Sequence, residues 1–369
     1  MEQNNLNKHF YAVIMAGGGG TRLWPLSRKK NPKQMLRIGS DDSLFQLAIK
    51  RLDGVFPNDR IFVVTTRDQY QALNEQYSGI PEENYILEPL PRGTASVVGL
   101  AAIALKKKDP DAIMAVLTAD HVIANVRTFQ KILLKANEVA KDGHLVTLGI
   151  DPTYPSTGYG YIKCGKANNT YKDFEIYNVE QFIEKPDLEN AKKMLLTGRY
   201  NWNSGMFIWQ VEQILNEFHK QMPDLAKKLD AIYSSWTKDE GQSVLESVWP
   251  TIEPETIDYG IMENAADVAV IEARDLGWND VGSWDSVFDV IKPDENGNVN
   301  MGATHISVDS SSTLVHSHSK EKLVATIGVE NIIVIDTEDA LLISSREGAQ
   351  KVKKIVELLK MDKQKNNYL

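Results

Sequence analysis

The sequence is short of the residues that build disulfides and membrane spans. Its 369 residues contain a single cysteine, Cys164, so no internal disulfide can form and no redox function follows. No stretch approaches the roughly 18 uninterrupted apolar residues of a membrane-spanning helix. The polar start of the chain also lacks the apolar core of a secretory signal. We therefore expect a cytoplasmic protein.

An overall basic excess is missing as well. The chain has 41 Lys and Arg against 50 Asp and Glu, for a net charge of -9. This balance argues against a broad nucleic-acid-binding surface, and we expect neither a nucleic acid nor a membrane as partner. One segment reverses the balance, because residues 17–37 contain no Asp or Glu. Its six cations are Arg22, Arg28, Lys29, Lys30, Lys33 and Arg37. Such a local cluster predicts a site for a small, highly charged anion.

The first 150 residues alternate apolar runs with amphipathic patterns. The runs that predict strands are 11–16, 60–66, 85–87, 112–119 and 144–150. The patterns that predict helices are 43–53, 67–77, 94–108 and 127–142. Because the strands are apolar throughout, they favour a mostly parallel sheet covered on both faces, with ligands at the carboxyl ends of its strands.

The middle of the chain is less regular. Short strands near 159–164, 179–184 and 206–209 are interrupted by helices near 187–197 and 211–232. We interpret this region as an insertion that completes the pocket of the first domain. The predicted catalytic domain therefore spans 1–295.

From about residue 300, short apolar runs recur at intervals of roughly ten residues, which is typical of a small all-β coil or sandwich. A final helix over 347–360 places Val352, Ile355, Val356 and Leu359 on one face. The last residues are expected to be frayed. We therefore predict a small C-terminal β domain with a terminal helix over 296–369.

Four consecutive glycines follow the first predicted strand, in Gly17-Gly18-Gly19-Gly20-Thr21-Arg22. Glycines let the backbone approach an anion closely and direct several N–H groups at it. A flexible turn is the alternative from the glycines alone. Neither the Walker A loop nor the dinucleotide motif G-x-G-x-x-G matches, because Arg22 stands where each requires glycine.

The segment GGGGTRLWPLSRKKNPKQ, residues 17–34, resembles the G-x-G-T-R-x-x-P…P-K signature of the sugar-1-phosphate nucleotidyltransferases. Its Leu-Trp-Pro-Leu-Ser-Arg and Pro-Lys-Gln parts are similar to the mannose-1-phosphate guanylyltransferase branch. The resemblance implies a Rossmann-like α/β fold, a mostly parallel sheet, with a small β-helix-like C-terminal domain. It also implies that Gly17, Gly18, Gly19, Gly20 and Thr21 bind the nucleotide, and that Arg22 and Lys33 hold its triphosphate as catalytic residues.

The implied activity is transfer of a guanylyl group from GTP to mannose 1-phosphate, which gives GDP-mannose and diphosphate with the help of Mg²⁺ or Mn²⁺. Phosphoryl-type transfer of this kind needs positioning and charge neutralisation at the reacting phosphate. The alternatives are the same chemistry on another sugar 1-phosphate, for example a heptose, and a nucleotide-sugar sensor without catalysis.

Two aspartates are candidate metal ligands. Asp120 follows an apolar strand, where a lone aspartate can equally be a turn or cap residue. Asp280 lies in Trp278-Asn279-Asp280-Val281-Gly282, which resembles the second metal-binding segment of the family. By that resemblance both are catalytic and hold Mg²⁺, a cation that prefers oxygen ligands. Replacing either by asparagine is expected to leave the fold intact, and His121 is interpreted as structural.

Three motifs occur in the order in which the family uses them to bind the sugar phosphate. By resemblance the Tyr159-Gly160 backbone closes over the hexose, Glu184 and Asn203 bind its hydroxyls, and Lys185 pairs with its phosphate. Lysine suits that task as a compact cation. Taken singly, the motifs could be a hairpin, a surface ion pair and a turn.

The segment 88–95 resembles the base-recognition loop of the family and differs from the usual Arg-Asn-Thr-Ala-Pro at Gly93 and Ser96. Arg92 and Thr94 are its predicted nucleotide-binding residues. A further block, 257–263, also resembles the family but receives no role. Longer members carry an additional cupin domain for which this chain has no room, so we predict a monofunctional transferase, with a homodimer as an expectation from the resemblance.

Overall fold

The computed structural model describes residues 8–168, 170–171 and 174–369. The chain divides into two compact units. The first contains residues 8–17, Arg51–Thr118 and Ala124–Leu276, and the second contains Gly18–Lys50, Ala119–Ile123 and Gly277–Leu369. The boundary predicted between residues 295 and 296 stays a prediction, because each unit consists of several separate segments of the chain.

The strands are numbered in chain order. They are β1 (Phe10–Met15), β2 (Ile61–Thr66), β3 (Tyr85–Glu88), β4 (Ile113–Thr118), β5 (Val122–Ile123), β6 (Leu145–Ile150), β7 (Tyr161–Ala167), β8 (Ile176–Ile183), β9 (Tyr200–Gln210), β10 (Val268–Glu272), β11 (Trp278–Asn279), β12 (Val299–Met301), β13 (Thr304–Val308), β14 (Leu314–Ser317), β15 (Leu323–Ile327), β16 (Ile332–Asp336) and β17 (Leu341–Ser345).

The α-helices are α1 (Leu44–Lys50), α2 (Arg67–Gln76), α3 (Gly93–Lys108), α4 (Val126–Lys141), α5 (Leu188–Thr197), α6 (Val211–Gln221), α7 (Pro223–Ser235), α8 (Gly241–Val248), α9 (Val287–Val290) and α10 (Val352–Met361). A single π-helical turn occupies Asp258–Met262.

The first unit is built on a nine-stranded sheet in the order β3-β2-β1-β4-β9-β6-β10-β8-β7. β1 pairs in parallel with β2 and β4, β2 with β3, and β6 with β10. The pairings make β8 and β9 run opposite to the other seven strands. β1, β2, β4 and β6 are apolar and buried along nearly their whole length, as expected for strands covered on both faces. The predicted α/β fold with its mostly parallel sheet is confirmed.

The middle of the chain contributes β7, β8 and β9 to the same sheet. The single helix predicted over 211–232 is wrong in one respect, because α6 ends at Gln221 and α7 begins at Pro223. Proline lacks the N–H that a helix interior needs, whereas the first position of a helix leaves that N–H unused. The break therefore falls where Pro223 can start a new helix.

The second unit contains the predicted C-terminal β coil. β12, β14 and β16 form parallel ladders in one small sheet, which β17 extends in the antiparallel direction. β13 and β15 form a separate parallel pair. The chain thus alternates between two small sheets, in agreement with the β-helix-like domain that the sequence predicted.

The core of the second unit joins the segment 18–50 to residues near the other end of the chain. Trp284 is fully buried and donates from its indole N–H to the carbonyl oxygen of Trp24 at 2.9 Å. Helix α10 buries Val352, Val356 and Leu359 in the same core, with Ile355 half-buried beside them, as its periodicity predicted. A cluster that includes residues from such distant positions forms only by long-range packing.

The predicted fraying of the last residues is wrong. Residues Lys363–Tyr368 form a 3-10 helix, and the carbonyl oxygen of Tyr368 accepts a hydrogen bond from Trp24 Nε1 at 2.8 Å. Tyr368 and Leu369 also pack against the core of the second unit. In the part of the chain that the structure describes, no helix is both long and apolar enough to cross a membrane.

Candidate active site

The glycine segment of the second unit has two kinds of position. Gly20 adopts a left-handed conformation with φ of 58°, and a Cβ placed there would overlap Cβ of Lys33. Ser27 Oγ donates to the Gly20 carbonyl oxygen at 2.5 Å and holds this turn. At Gly18 and Gly19, by contrast, no described atom lies within 4 Å of where a Cβ would stand. Gly20 is therefore required for packing, whereas Gly18 and Gly19 leave their backbone open for a close approach.

Lys33 is the central cation of the second unit. Lys33 is 7% exposed, and its Nζ lies 2.7 Å from Asp120 Oδ2. Nζ also donates to the backbone carbonyl oxygen of Asp280 at 2.5 Å. A buried ammonium is costly unless it is paired and hydrogen-bonded, and Lys33 meets both conditions. It thereby connects the two segments that carry the predicted metal ligands.

The two aspartate segments are also joined to each other. β5 pairs with β11 in antiparallel register, with Ile123 opposite Trp278. Trp278 Nε1 donates to His121 Nδ1 at 3.1 Å. Because Nδ1 accepts, a neutral His121 carries its proton on Nε2. His121 thus links the segments of Asp120 and Asp280, which agrees with its interpretation as structural.

A strained turn follows Asp280. Val281 has φ of 45°, in the left-handed region that a β-branched residue rarely adopts. Its N–H donates to Asn279 Oδ1 at 2.7 Å, and the next N–H, that of Gly282, donates to Asp280 Oδ1 at 3.0 Å. Strain of this kind persists only where surrounding bonds hold it, and it is common at functional sites. The turn fixes the Asp280 carboxylate against its own backbone.

The structure brings Arg22, Lys33, Asp120 and Asp280 together in one compact unit. Arg22 Nη1 lies 3.5 Å from the carbonyl oxygen of Gly282, a long and therefore weak contact. Burial alone would raise the pKa of Asp120, but the Lys33 ammonium outweighs it and holds that pKa below its usual value. Asp120 is therefore ionised at neutral pH. One third of its side chain remains accessible, and its carboxylate is suited to a divalent cation.

The ion pair changes the expectation for the two aspartates. Asp120→Asn removes the charge that balances the buried Lys33 ammonium, so we expect a loss of about 1–3 kcal/mol in the free energy of unfolding. Asp280→Asn keeps an oxygen that can accept from the Gly282 N–H, so its stability should stay within about 0.5 kcal/mol of the parent. Both variants should lose roughly 100-fold or more in turnover. Urea unfolding and turnover are measured on both; equal stability of the two variants would contradict the role of the ion pair.

Glu88 is a buried carboxyl to which the sequence assigned no role of its own. It ends β3, is 2% exposed, and a Cβ at Gly17 would stand only 2.9 Å from its Oε1. Burial raises the pKa of Glu88 to about 7, although the backbone N–H of Arg92 donates to the carboxylate and lowers it in part. Among the described residues, none hydrogen-bonds Oε2. The feature of the sequence that could have identified Glu88 is its position directly after the apolar run of a predicted strand.

This buried carboxyl predicts a pH-dependent stability. The pKa of Glu88 is about 7 in the folded chain against an ordinary value of 4.5, so the folded state keeps a proton that the unfolded state loses between these two values. The free energy of unfolding should therefore fall as pH rises from about 4.5 to about 7, by on the order of 3 kcal/mol. Glu88→Gln should remove this dependence and be the more stable protein at pH 8.

The measurement is urea unfolding of the parent and the Glu88→Gln variant at pH 5 and pH 8. Glu82→Gln, which changes an exposed acid shortly before the same strand, serves as the matched control. If the stability difference between Glu88→Gln and the parent were the same at both pH values, a raised pKa at Glu88 would be ruled out.

The predicted base-recognition residues are bonded to the segment 250–257 within the first unit. Arg92 Nη2 donates to the carbonyl oxygen of Pro250 at 2.5 Å, and Thr94 Oγ1 accepts from the N–H of Ile257 at 2.9 Å. Gly93 has φ of 83°, and a Cβ there would overlap the Glu255 carbonyl. This close approach leaves no room for a side chain at position 93 of this chain. Nucleotide binding by Arg92 and Thr94 stays a prediction.

Three of the predicted sugar residues converge in the first unit. The Asn203 N–H donates to the Gly160 carbonyl oxygen at 2.8 Å. A Cβ at Gly160 would overlap the Glu184 carboxylate and approach Asn203 Cβ to 3.4 Å. The absence of a side chain at Gly160 thus keeps free the space beside Glu184 and Asn203, and we call these three residues the sugar cradle.

Lys185 and Tyr159 lie beside the sugar cradle in the chain. Lys185 pairs with Glu184 and is 55% exposed, and its φ of 44° is in the left-handed region. The ring of Tyr159 packs edge-on against Trp202, with ring centres 5.0 Å apart. The surface pair that the sequence left as an alternative for Lys185 is therefore present, and binding of a sugar phosphate by Lys185 stays a prediction.

Asp258 is a residue near the sugar cradle to which the sequence gave no role. Its Oδ1 accepts from Asn203 Nδ2 at 2.6 Å. Burial raises the pKa of Asp258, the bond from Asn203 opposes this effect, and the nearby Glu184 carboxylate adds to it. The resemblance of residues 257–263 to a family block was the only feature of the sequence that pointed to this segment. That resemblance does not indicate which residue Asp258 contacts.

The first unit also contains a cluster of possible metal ligands whose members are hydrogen-bonded within the protein. His9, Asp109 and Asp111 could each place one ligand atom within 4.8 Å of the others. His9 Nδ1 already contacts Asp109 Oδ2 at 2.8 Å, and Tyr11 donates its hydroxyl to the same oxygen at 2.9 Å. These bonds account for the cluster as a structural feature.

Comparisons with known proteins agree with this arrangement. Residues 11–297 match the model of the nucleotidyl transferase family, and residues 303–359 match that of the MannoseP isomerase/GMP-like beta-helix domain. The chain is 40% identical to a mannose-1-phosphate guanylyltransferase of Klebsiella pneumoniae over 96% of its own length and 75% of that protein. It is also 40% identical to the one of Escherichia coli K12, over 95% of this chain and 74% of that protein.

A solved structure supports the same assignment. The protein described as mannose-1-phosphate geranyltransferase from Thermus thermophilus superposes with a TM-score of 0.85 at 32% identity. The match covers 95% of this chain and 99% of that one. The family expected from the glycine-rich signature is confirmed. The chain belongs to the nucleotidyl transferase family, in the group of the mannose-1-phosphate guanylyltransferases.

Proposed function

We propose that the protein transfers the guanylyl group of GTP to mannose 1-phosphate and releases diphosphate. The observation that carries the proposal is the position of Lys33, which binds both aspartate segments in the unit that also holds Gly18–Arg22. An acidic chain that concentrates cations and open glycine backbone beside two aspartates is suited to a nucleoside triphosphate and its metal. The named relatives give the choice of guanine and mannose.

The residues of this chain supply the positioning. Arg22 and the N–H groups of Gly18 and Gly19 neutralise the triphosphate, and Lys33 keeps Asp120 ionised and in place. The sugar phosphate is an anion at neutral pH and attacks the α-phosphorus in line, so the reaction needs no general base. Holding the two substrates in a reactive geometry can supply about 7–11 kcal/mol of the barrier.

Nucleotidyl transferases generally use a divalent metal, and the proposal assigns Mg²⁺ or Mn²⁺ to Asp120 and Asp280. Both offer carboxylate oxygens, the ligands that these cations prefer, and Asp120 is ionised because it lies beside the Lys33 ammonium. The bound cation would offset the negative charge of the reacting phosphates.

A screen of diphosphate release tests the function. The purified protein is incubated with each of the four common nucleoside triphosphates and with several sugar 1-phosphates, including a heptose 1-phosphate. We expect the highest rate with GTP and mannose 1-phosphate in the presence of Mg²⁺, and no rate after removal of the metal by a chelator. A higher rate with another pair would assign another substrate, and binding without turnover would make the protein a sensor.

Lys185→Gln tests which substrate the exposed lysine binds. We expect the KM for mannose 1-phosphate to rise roughly tenfold to hundredfold, because one charge-assisted hydrogen bond to a phosphate is worth about 1.5–3 kcal/mol. The KM for GTP should change little.

The matched control is Lys163→Gln, which breaks another partly exposed pair in the first unit, that of Lys163 with Glu180 at 2.7 Å. Exposed pairs of this kind contribute about 0–1 kcal/mol, so the control should behave as the parent. Lys185→Gln kinetics indistinguishable from the control would leave Lys185 as the partner of Glu184 alone.

A homodimer through the C-terminal β segment is the further part of the proposal. In the register of β13 and β15, one face of the pair carries Ile306, Val308, Leu323 and Ile327, each at least 47% exposed. An uncharged apolar face lets two copies of an acidic chain associate without like-charge repulsion. Sedimentation velocity at micromolar concentration measures the assembly.

We place the protein in the cytoplasm because GTP, its proposed substrate, is present there.

A further inference from the structure

The amide of Asn203 is held from both ends. Its Oδ1 accepts from the N–H of Gly205 at 3.0 Å, and its Nδ2 donates to Asp258 Oδ1 at 2.6 Å. A backbone N–H can only donate, so the contact with Gly205 identifies the oxygen of the amide and places Nδ2 beside Asp258. Nδ2 has a second N–H, and among the described residues Asp258 is the only side chain that accepts from this nitrogen.

Asp258 is itself fixed by its position in the chain. It begins the π-helical turn Asp258–Met262, an element that often occurs at functional sites. The preceding residue, Ile257, is buried and donates its N–H to Thr94 Oγ1 at 2.9 Å. Ile261 and Met262 anchor the other end of the turn in the core. These contacts on both sides of Asp258 hold its backbone in place.

The surroundings of Asp258 are those of the sugar cradle. The charges that act on it most are the Glu184 carboxylate and the Lys185 ammonium, both of which were predicted to bind the sugar phosphate. Its hydrogen-bond partner Asn203 also donates its backbone N–H to Gly160. Asp258 thus contacts the cradle without belonging to its three predicted residues.

We propose that Asp258 is a positioning residue of the sugar site, which holds the Asn203 amide so that its second N–H is presented as a donor to a sugar hydroxyl. The inference rests on the proposed function, because it requires the cradle to bind the sugar. Without the acceptor, the amide can rotate and the donor is lost part of the time. One hydrogen bond of this kind corresponds to a change of about two- to tenfold in affinity.

Two substitutions separate positioning from charge. Asp258→Leu removes the acceptor while keeping the number and branching of the side-chain heavy atoms, and it should raise the KM for mannose 1-phosphate about tenfold, with kcat and the KM for GTP little changed. Asp258→Asn keeps an oxygen that can accept from Asn203 and should stay within about threefold of the parent. If Asp258→Asn were as defective as Asp258→Leu, the charge of Asp258 would be what matters, and the proposal would be overturned.

A double-mutant cycle tests the route through Asn203. If Asp258 acts only by positioning Asn203, then Asn203→Ala together with Asp258→Leu should be no worse than Asn203→Ala alone. Multiplicative defects in the KM for mannose 1-phosphate would overturn the proposal. Should Asp258→Leu fail to fold, as judged by circular dichroism, Asp258→Ala takes its place in the same cycle.

Glu263→Gln is the control for the electrostatic field, because it removes an exposed negative charge that acts on the same cluster without contacting Asn203. Its kinetics should match those of the parent. Turnover of GTP and mannose 1-phosphate by the parent protein is measured first and tests the proposed function alone. If the parent is active and the variants deviate from the expected pattern, only the role of Asp258 fails.

Discussion

The second unit depends on the charge of one lysine. The ammonium of Lys33 is almost out of contact with water, and a cation in that position is tolerated only if it has an anion and further hydrogen-bond acceptors. Asp120 provides the anion and the Asp280 backbone provides an acceptor. The need to satisfy one cation therefore brings three separate chain segments together. The same need keeps Asp120 ionised, which is the state in which a carboxylate can bind a metal.

The parts of the structure that follow from local patterns could be predicted. Strands β1, β2 and β4 are apolar on both faces, so their burial and parallel pairing are visible in their composition. The glycine-rich segment could be recognised because the residues of its motif are consecutive in the sequence. Local patterns failed where a single residue overrode them, as Pro223 did when it divided a continuous helical periodicity.

The parts that depend on distant contacts could not be predicted in this way. Nothing near Lys33 in the sequence indicates that its partner is Asp120 or that Asp280 offers a carbonyl oxygen. Likewise Asn203 and Asp258 are far apart in the chain, and only the folded sheet brings the amide to the carboxylate. The Trp24 indole, which bonds to Tyr368, shows why the last residues are ordered although their composition is that of a frayed end. Periodicity reports which face of an element is buried, but it contains no information about the partner.

The division of the second unit among three segments has a consequence for the order of synthesis. Residues 18–50 leave the ribosome early, but the residues that form their core, including Trp284 and Val352, belong to the much later segment Gly277–Leu369. Since compact units fold as wholes, the glycine segment lacks its packing partners until residues 277–369 have been synthesised. A nascent chain that stops short of this segment therefore has the glycine-rich sequence but not its packed core. If the glycine segment binds the triphosphate as proposed, a nascent chain gains affinity for nucleotide only after these packing partners have been made.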